Sequence, residues 1–209
     1  GGRMKPSGPR RFFLEALFWG GLLILVVPRV GLFFSDRQLA TLVNHDALSG
    51  DWLLADSNGQ VLREDVVLPM NLRQAASIAS LRHWKFVKKF DSSQLARYRV
   101  PVLVLGRIGD SDRVYLNDCL VGSTGLSDDG KITGYWWSVL RTYKIPRECL
   151  PGGHPSEAKL TAEVFWSGSV SAGIYDGPIG FAESRDVESA AALVETLRFT
   201  TLLAFGFVM

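Results

Sequence analysis

The sequence has little of what catalytic and metal centres are built from. It contains two cysteines and three histidines, and His45, His83 and His154 are scattered along the chain. No zinc-binding, phosphate-loop or nucleophile-elbow pattern occurs. The scarcity argues against metal-dependent and nucleophilic chemistry. We therefore predict that this fragment is not an enzyme and that it uses no cofactor and no metal.

A large excess of one charge is also missing. The chain has 23 basic and 21 acidic residues, a formal net charge of +2. Domains that bind nucleic acid carry a strongly basic face, so no nucleic-acid partner is predicted. The small basic excess lies at the two ends, which leaves a near-neutral middle of about 150 residues, enough for one domain.

Long apolar runs, by contrast, are present. Phe12 to Phe34 is apolar except for Glu15, Pro28 and Arg29, and about 20 such residues cross a bilayer as a helix. Residues 1–11 contain basic residues and no acid, which predicts a cytoplasmic N-terminus and an uncleaved anchor. A cleaved signal peptide is the alternative, but the run lacks a convincing cleavage site.

The C-terminal end is also apolar. No charged residue follows Arg198, and the stretch to Met209 is too short to span a membrane by itself. We expect residues 187–209 to form a helix that leads into a truncated second transmembrane segment. A buried terminal helix or strand is the alternative.

Between these ends, short strand-like segments alternate with turn signals. Residues 51–63 predict a hairpin around Asn58 and Gly59, the strongest turn pair in the chain. Residues 84–90 and 159–166 alternate between apolar and polar, and residues 100–105 are almost continuously apolar, as in a central strand. This spacing favours an antiparallel sandwich over a parallel sheet.

The most informative segment is Leu105 to Gly125. Asn117 and Asp118 tolerate the positive φ of a two-residue hairpin turn, and such a turn pairs Val114 with Val121. The hairpin is then half buried, as in a sandwich. Its buried face is predicted to consist of Val114, Leu116, Cys119 and Val121.

The same hairpin resembles the signature of galactose-binding-like jelly rolls. Its residues "GRIGDSDRVYLND…VGSTG" match the usual strand, turn and apolar-Gly pair, with Asp118 in place of the usual turn glycine. Leu68-Pro69 followed by Trp84-Lys85-Phe86 resembles the family's "LP…W" segment. Arg141 to Pro146 resembles "R-x-Y-x-I-P", and Gly173 to Gly180 resembles the closing "GGI…GP" strand.

Two relatives share these segments: the sugar-binding domain of family 2 glycosidases, and the extracellular domain of bacterial seven-transmembrane receptors with diverse intracellular signalling modules. The apolar ends favour the receptor. The resemblance implies a cytoplasmic tail (1–11), an anchor helix (12–34), a linker (35–50), a periplasmic jelly-roll sensor (51–186) and a helix entering the second span (187–209).

The resemblance also implies a function. We expect the N-terminal sensor fragment of a bacterial inner-membrane receptor, which binds an extracytoplasmic small molecule and signals to an absent cytoplasmic output module. A membrane-tethered carbohydrate-binding domain of a glycoside hydrolase is the first alternative, and a structural assembly jelly roll is the second. Expected partners are a carbohydrate or a carboxylate and the lipid bilayer, with a homodimer left open.

The best candidate ligand site is an aromatic run. Tyr135, Trp136 and Trp137 stand together, and strand alternation would turn at least one indole outwards, suited to stacking on a sugar. Arg141 and Asp176 are predicted to add polar contacts that orient the ligand. Packing of both indoles against the protein is the alternative.

Two further sets of residues carry predictions. A disulfide between Cys119 and Cys149 would suit an oxidising compartment, but we expect Cys119 in the core and both thiols free. Loop acids are expected in solvent as turn residues, with a calcium site as the less favoured alternative. These acids are Asp110, Asp112, Asp128 and Asp129.

Overall fold

A computed structural model of the protein describes Glu15 and residues 19–21, 37–75, 78, 80–127, 130–134, 136, 139–150, 157–169, 171–190 and 192. Most of the predicted anchor, 12–34, and the predicted second span lie outside these ranges. Within them, every helix is too short or too polar to cross a membrane. The two predicted membrane segments stay predictions.

The chain divides into two units. The described residues of the first, Gly1–Gln38 with Ser189–Met209, are helical. The second, Leu39–Glu188, contains short 3-10 helices at Leu72–Gln74, Ser92–Arg97 and Arg147–Cys149. Its described strands are β1 (Trp52–Asp56), β2 (Val61–Val66), β3 (His83–Asp91), β4 (Pro101–Ile108), β5 (Ser111–Leu116), β6 (Cys119–Thr124), β7 (Leu140–Lys144), β8 (Glu157–Phe165) and β9 (Ile174–Glu183).

These strands form two sheets. The larger has the order β2-β1-β3-β8-β5-β6 and the smaller the order β7-β4-β9, and all their pairings are antiparallel. The prediction of a mainly β, antiparallel fold is confirmed. The predicted hairpin around Asn58 and Gly59 is the turn between β1 and β2.

One hydrophobic core lies between the sheets. The larger sheet contributes Trp84 and Phe86, and the smaller contributes Leu103 and Leu105, all fully buried. The ring of Phe90 of β3 packs against the ring of Phe181 of β9, with 5.2 Å between the ring centroids. This contact and the shared core make the unit a β-sandwich.

Strand β4 is buried on both faces, as its apolar sequence predicts. Val102 and Val104 point away from the central core and are also buried. Asn44, in the segment before β1, pairs with Phe181 of β9 through hydrogen bonds of 2.8 and 3.1 Å. A Cβ on Gly180 would lie 2.2 Å from the Asn44 carbonyl oxygen, so only glycine admits this close approach.

The hairpin from β5 to β6 has the predicted turn, and beside it Leu116 faces Cys119 and Tyr115 faces Leu120, but the register shifts beyond that point. Asn117 and Asp118 take φ values of 52° and 51°. Val114 pairs with Gly122 rather than with Val121, because a bulge gives β6 one extra residue. Only the predicted partner of Val114 is therefore wrong, by one position, and Val121 still faces the core and is buried.

The cysteines are bonded, so the prediction of free thiols is wrong. Cys119 begins β6 and Cys149 ends the 3-10 helix after β7, and the fold brings their Cα atoms to 5.4 Å. That spacing is within the range of disulfides. Cys119 is only half-buried, because it lies at the end of an edge strand rather than in the middle of the core.

Protonation of His83 should weaken the fold. Its ring stacks on Phe165 at 4.2 Å, and its Nε2 is buried without a hydrogen-bond partner. Burial lowers the pKa of His83 below the usual 6.5. The unfolded chain then takes up the proton at a higher pH than the folded chain, so this stability is lost as pH falls below about 6.5.

Urea denaturation of the wild type and of His83→Phe at pH 7.5 and pH 5 measures this effect. We expect the wild type to lose more stability on acidification than the variant does. An equal loss in both proteins would show that the His83 proton is not linked to folding.

A buried polar cluster and an exposed tryptophan

A polar cluster lies between the sheets at one end of the sandwich. Asp112 of β5 and Arg141 of β7 are both buried, and the Nε of Arg141 lies 2.5 Å from Oδ1 of Asp112. The hydroxyl of Tyr143 donates to the second carboxylate oxygen and also bonds Thr124 at 2.7 Å. Both oxygens of Asp112 are thus hydrogen-bonded, as a buried charge requires.

Glycine makes room for this cluster. A Cβ on Gly122 would lie 2.3 Å from Cδ1 of Tyr143, so the tyrosine ring lies directly on the glycine. Three parts of the segments that carry the family resemblance therefore meet here: the acids of the hairpin, Gly122 of β6, and Arg141 with Tyr143 of β7. They build the scaffold at this point.

Arg141 has no N–H group left for a ligand. Its Nε binds Asp112, and its two NH2 groups donate to main-chain carbonyls in the loop before β7 and in the turn after β4. The predicted direct contact between Arg141 and a ligand therefore does not fit its position. The four carbonyls are those of Trp136 (2.9 Å), Val139 (2.7 Å), Ile108 (3.4 Å) and Asp110 (2.9 Å).

Burial governs the ionisation of the cluster. It raises the pKa of the Asp112 carboxyl, while the charge of Arg141 and the hydroxyl of Tyr143 oppose that rise. Burial and the neighbouring Asp112 both raise the pKa of Tyr143, which therefore stays protonated and remains a hydrogen-bond donor. Loss of one member would leave buried polar groups of the others without a partner.

The expected solvation of Asp110 and Asp112 is wrong, because both are completely buried. Oδ2 of Asp110 accepts bonds of 2.7 Å from both the backbone N–H and the hydroxyl of Ser167, which ties the β4–β5 turn to the loop after β8. Oδ1 of Asp110 has no partner. Asp128 and Asp129 lie outside the described residues, and within those residues no group of acids, histidines or cysteines could hold a metal.

Trp136 is exposed but held in place. The residue is 43% accessible, and its carbonyl is bound by Arg141. The edge of its ring lies against two glycines. A Cβ built on Gly125 would lie 2.6 Å from Cδ1 of Trp136, and a Cβ built on Gly134 would lie 3.0 Å from Nε1 of Trp136. The outward indole predicted for this run is thus present at Trp136, whereas Tyr135 and Trp137 lie outside the described residues.

Asp176 lies on β9 and pairs with Arg107 of β4. Nη1 of Arg107 and Oδ2 of Asp176 are 2.9 Å apart, with side chains 20% and 60% exposed. Tyr175 is the extra residue of a bulge, since Arg107 faces Asp176 and Ile108 faces Ile174. Bulges commonly redirect side chains at functional sites.

The surface pair and the buried cluster share one end of the sandwich. Burial raises the pKa of Tyr175, and the charges of Arg107, Asp176, Arg141 and Asp110 all act on it. Leu140, just after the Trp136 loop, faces Arg107 across the β4–β7 pairing. We name the set Arg107, Trp136, Tyr175 and Asp176 the end surface.

Sequence reasoning identified Trp136 and Asp176 of this set and missed Arg107 and Tyr175. A signal for Arg107 was available in the sequence, because Gly106 interrupts the apolar run of β4 immediately before it. In the structure Gly106 has a φ of 64°. A Cβ on Gly106 would lie 2.2 Å from the Asp176 carbonyl oxygen. Glycine inside a strand pattern is a mark of bulges and close backbone contacts.

Comparison with known proteins gives similarity of structure at low identity. A GH2 β-galacturonidase from Eisenbergiella tayi bound to galacturonate has a TM-score of 0.44 at 14% identity, over 66% of this chain and 24% of that one. A β-D-glucuronidase from Dictyoglomus thermophilum has a TM-score of 0.42 at 16% identity, over 57% and 19%. A rhamnosidase from Novosphingobium sp. PP1Y has a TM-score of 0.42 at 14% identity, over 65% and 14%.

This chain therefore spans less than a quarter of the length of these enzymes. No protein-family model matches the sequence. No curated protein matches it either.

Proposed function

We propose that the protein is a membrane-tethered carbohydrate-binding domain with a galactose-binding-like jelly-roll sandwich, of the kind found in glycoside hydrolases. The observation that carries the proposal is the exposed indole of Trp136. Arg141 donates to its main-chain carbonyl, and its ring packs against Gly125 and Gly134. A rigid aromatic surface binds the apolar face of a pyranose without ordering a flexible side chain.

We assign the polar contacts that a sugar needs to side chains on β4 and β9 of the sheet that β7 completes. Arg107, Tyr175 and Asp176 add a donor, a hydroxyl and a carboxylate at the same end of the sandwich. Ligand sites combine apolar contact with a few placed polar groups that fix orientation. The end surface has both elements, in residues that come from β4, β9 and the loop before β7.

An extracytoplasmic location is part of the proposal. The Cys119–Cys149 disulfide supports it, because such bonds form in oxidising compartments and are rare in the cytosol. The basic tail at residues 1–11 and the apolar run at 12–34 support a tether with its N-terminus in the cytoplasm. The sensor role in a signalling receptor stays a prediction that rests on the apolar ends of the chain.

Removal of the indole tests the proposal. The full chain in lipid nanodiscs is titrated with a panel of neutral and acidic mono- and oligosaccharides, and binding is followed by calorimetry and tryptophan fluorescence. We expect Trp136→Ala to weaken sugar binding about tenfold or more, equivalent to about 1.4 kcal/mol.

The matched control is Val67→Ala, another apolar residue that is 66% exposed. It should leave the affinity unchanged, and both variants should melt like the wild type. Saturable binding that survives Trp136→Ala would remove Trp136 from the site. No binding to any sugar would contradict the proposed function.

A further inference from the structure

We propose that the end surface selects neutral sugars over uronates, with Asp176 as the residue that determines this specificity. The inference rests on the proposed function and concerns the same site. It assigns hydroxyl groups of a neutral sugar to the exposed carboxylate of Asp176, which Arg107 holds in place.

The geometry of the pair suits hydroxyl ligands. One oxygen of Asp176 is bound by Arg107 at 2.9 Å, and the carboxylate remains 60% exposed. An ionised carboxylate accepts at about four lone-pair positions, so it can accept from sugar hydroxyls while it is paired with arginine. Charge-assisted bonds of this kind are about twice as strong as neutral ones.

The backbone holds the pair in position. Two bulges meet here: Tyr175 is the extra residue of one, and the β9 segment after Asp176 is one residue longer than the facing part of β4. Gly106 and Gly177 take φ values of 64° and 95°, which lets the two strands approach closely. A carboxylate on such a support loses little conformational freedom when a ligand binds.

The charges at this end disfavour an acidic ligand. Among the residues that the structure describes here, Arg107 pairs with Asp176 and Arg141 pairs with Asp112. Asp110 adds a third, buried carboxylate. At the surface the carboxylate is the exposed member of its pair, at 60% against 20% for Arg107, so the carboxylate of a uronate would meet a like charge there.

The test compares sugars that differ only at one carbon. The full chain in nanodiscs is titrated with the methyl glycosides of glucose, galactose and mannose and with the corresponding methyl uronides. The wild type should bind its best neutral glycoside about tenfold or more tightly than the matching uronide. Asp176→Asn should weaken the neutral sugar about tenfold, leave uronide binding equal or stronger, and so abolish the preference.

The matched control is Asp118→Asn. Asp118 is an exposed carboxylate in the turn between β5 and β6 that pairs with Lys159 of β8, whereas Arg107 and Asp176 lie on β4 and β9. Its substitution should change neither affinity. Asp176→Ser serves as a second variant if Asp176→Asn melts below the wild type.

The outcomes separate the two proposals. Uronides that bind as tightly as neutral sugars, or an unchanged preference in both Asp176 variants, would overturn this inference and leave carbohydrate binding intact. Absence of saturable binding to every glycoside and uronide would overturn the proposed function and this inference with it.

Discussion

Asp112→Asn is expected to destabilise the sandwich by about 3–5 kcal/mol, the usual effect of removing one partner from a buried ion pair. The substitution keeps the shape of the side chain but leaves the guanidinium of Arg141 buried without a countercharge. The Tyr143 hydroxyl also loses its charged acceptor. Urea denaturation measures the change as a lower midpoint with an unaltered slope.

Two controls define what this result means. Asp118→Asn breaks an exposed pair with Lys159 and should cost no more than about 1 kcal/mol. The double variant Asp112→Leu with Arg141→Met should recover part of the loss, because no charge stays unpaired. Full recovery is not expected, since Arg141 also binds four carbonyls, including those of Trp136 and Val139. A cost below 1 kcal/mol for Asp112→Asn would contradict the role of the ion pair.

Replacement of both cysteines by serine is expected to cost about 3.5 kcal/mol. The bond closes a loop with a sequence separation of 30, and a loop of that length restricts the unfolded chain by roughly this amount. For a domain of this size the melting temperature should fall by about 7–14 °C. Differential scanning calorimetry of the wild type and of Cys119→Ser with Cys149→Ser measures the shift.

Reductant provides the matched control. Dithiothreitol should lower the melting temperature of the wild type to that of the double-serine variant, and it should leave the variant unchanged. Mass spectrometry should show a gain of two hydrogen atoms in the reduced wild type. A wild type that melts at the same temperature with and without reductant, and that gains no mass, would show that the thiols are free.

Much of the fold can be predicted from local sequence. The alternation of Leu160, Ala162 and Val164 in β8 is visible in the chain and appears unchanged as buried residues in the structure. The turn at Asn117 and Asp118 is also local, because it depends on two residues that tolerate positive φ. Strands, turns and the faces they bury thus follow from neighbouring residues.

The candidate site could be predicted only in part. Strand alternation predicts an outward indole in the run from Tyr135 to Trp137, and Trp136 is exposed, although it lies in the loop before β7 and not in a strand. Which polar residues accompany it does not follow, since Arg141 and Arg107 look equivalent in the sequence. Arg141 is buried on the inner face of β7, whereas Arg107 reaches solvent beside a bulge in β4.

The sequence by itself thus determined the antiparallel strands and the hairpin turn, because each depends on residues within a few positions of one another. Tertiary structure decided the rest. Asp112 is buried because Arg141, 29 residues away, supplies its countercharge, and Asp110 because Ser167, 57 residues away, supplies two donors. The disulfide and the register at Gly122 likewise depend on contacts with Cys149 and Tyr143, and no local periodicity encodes partners so distant along the chain.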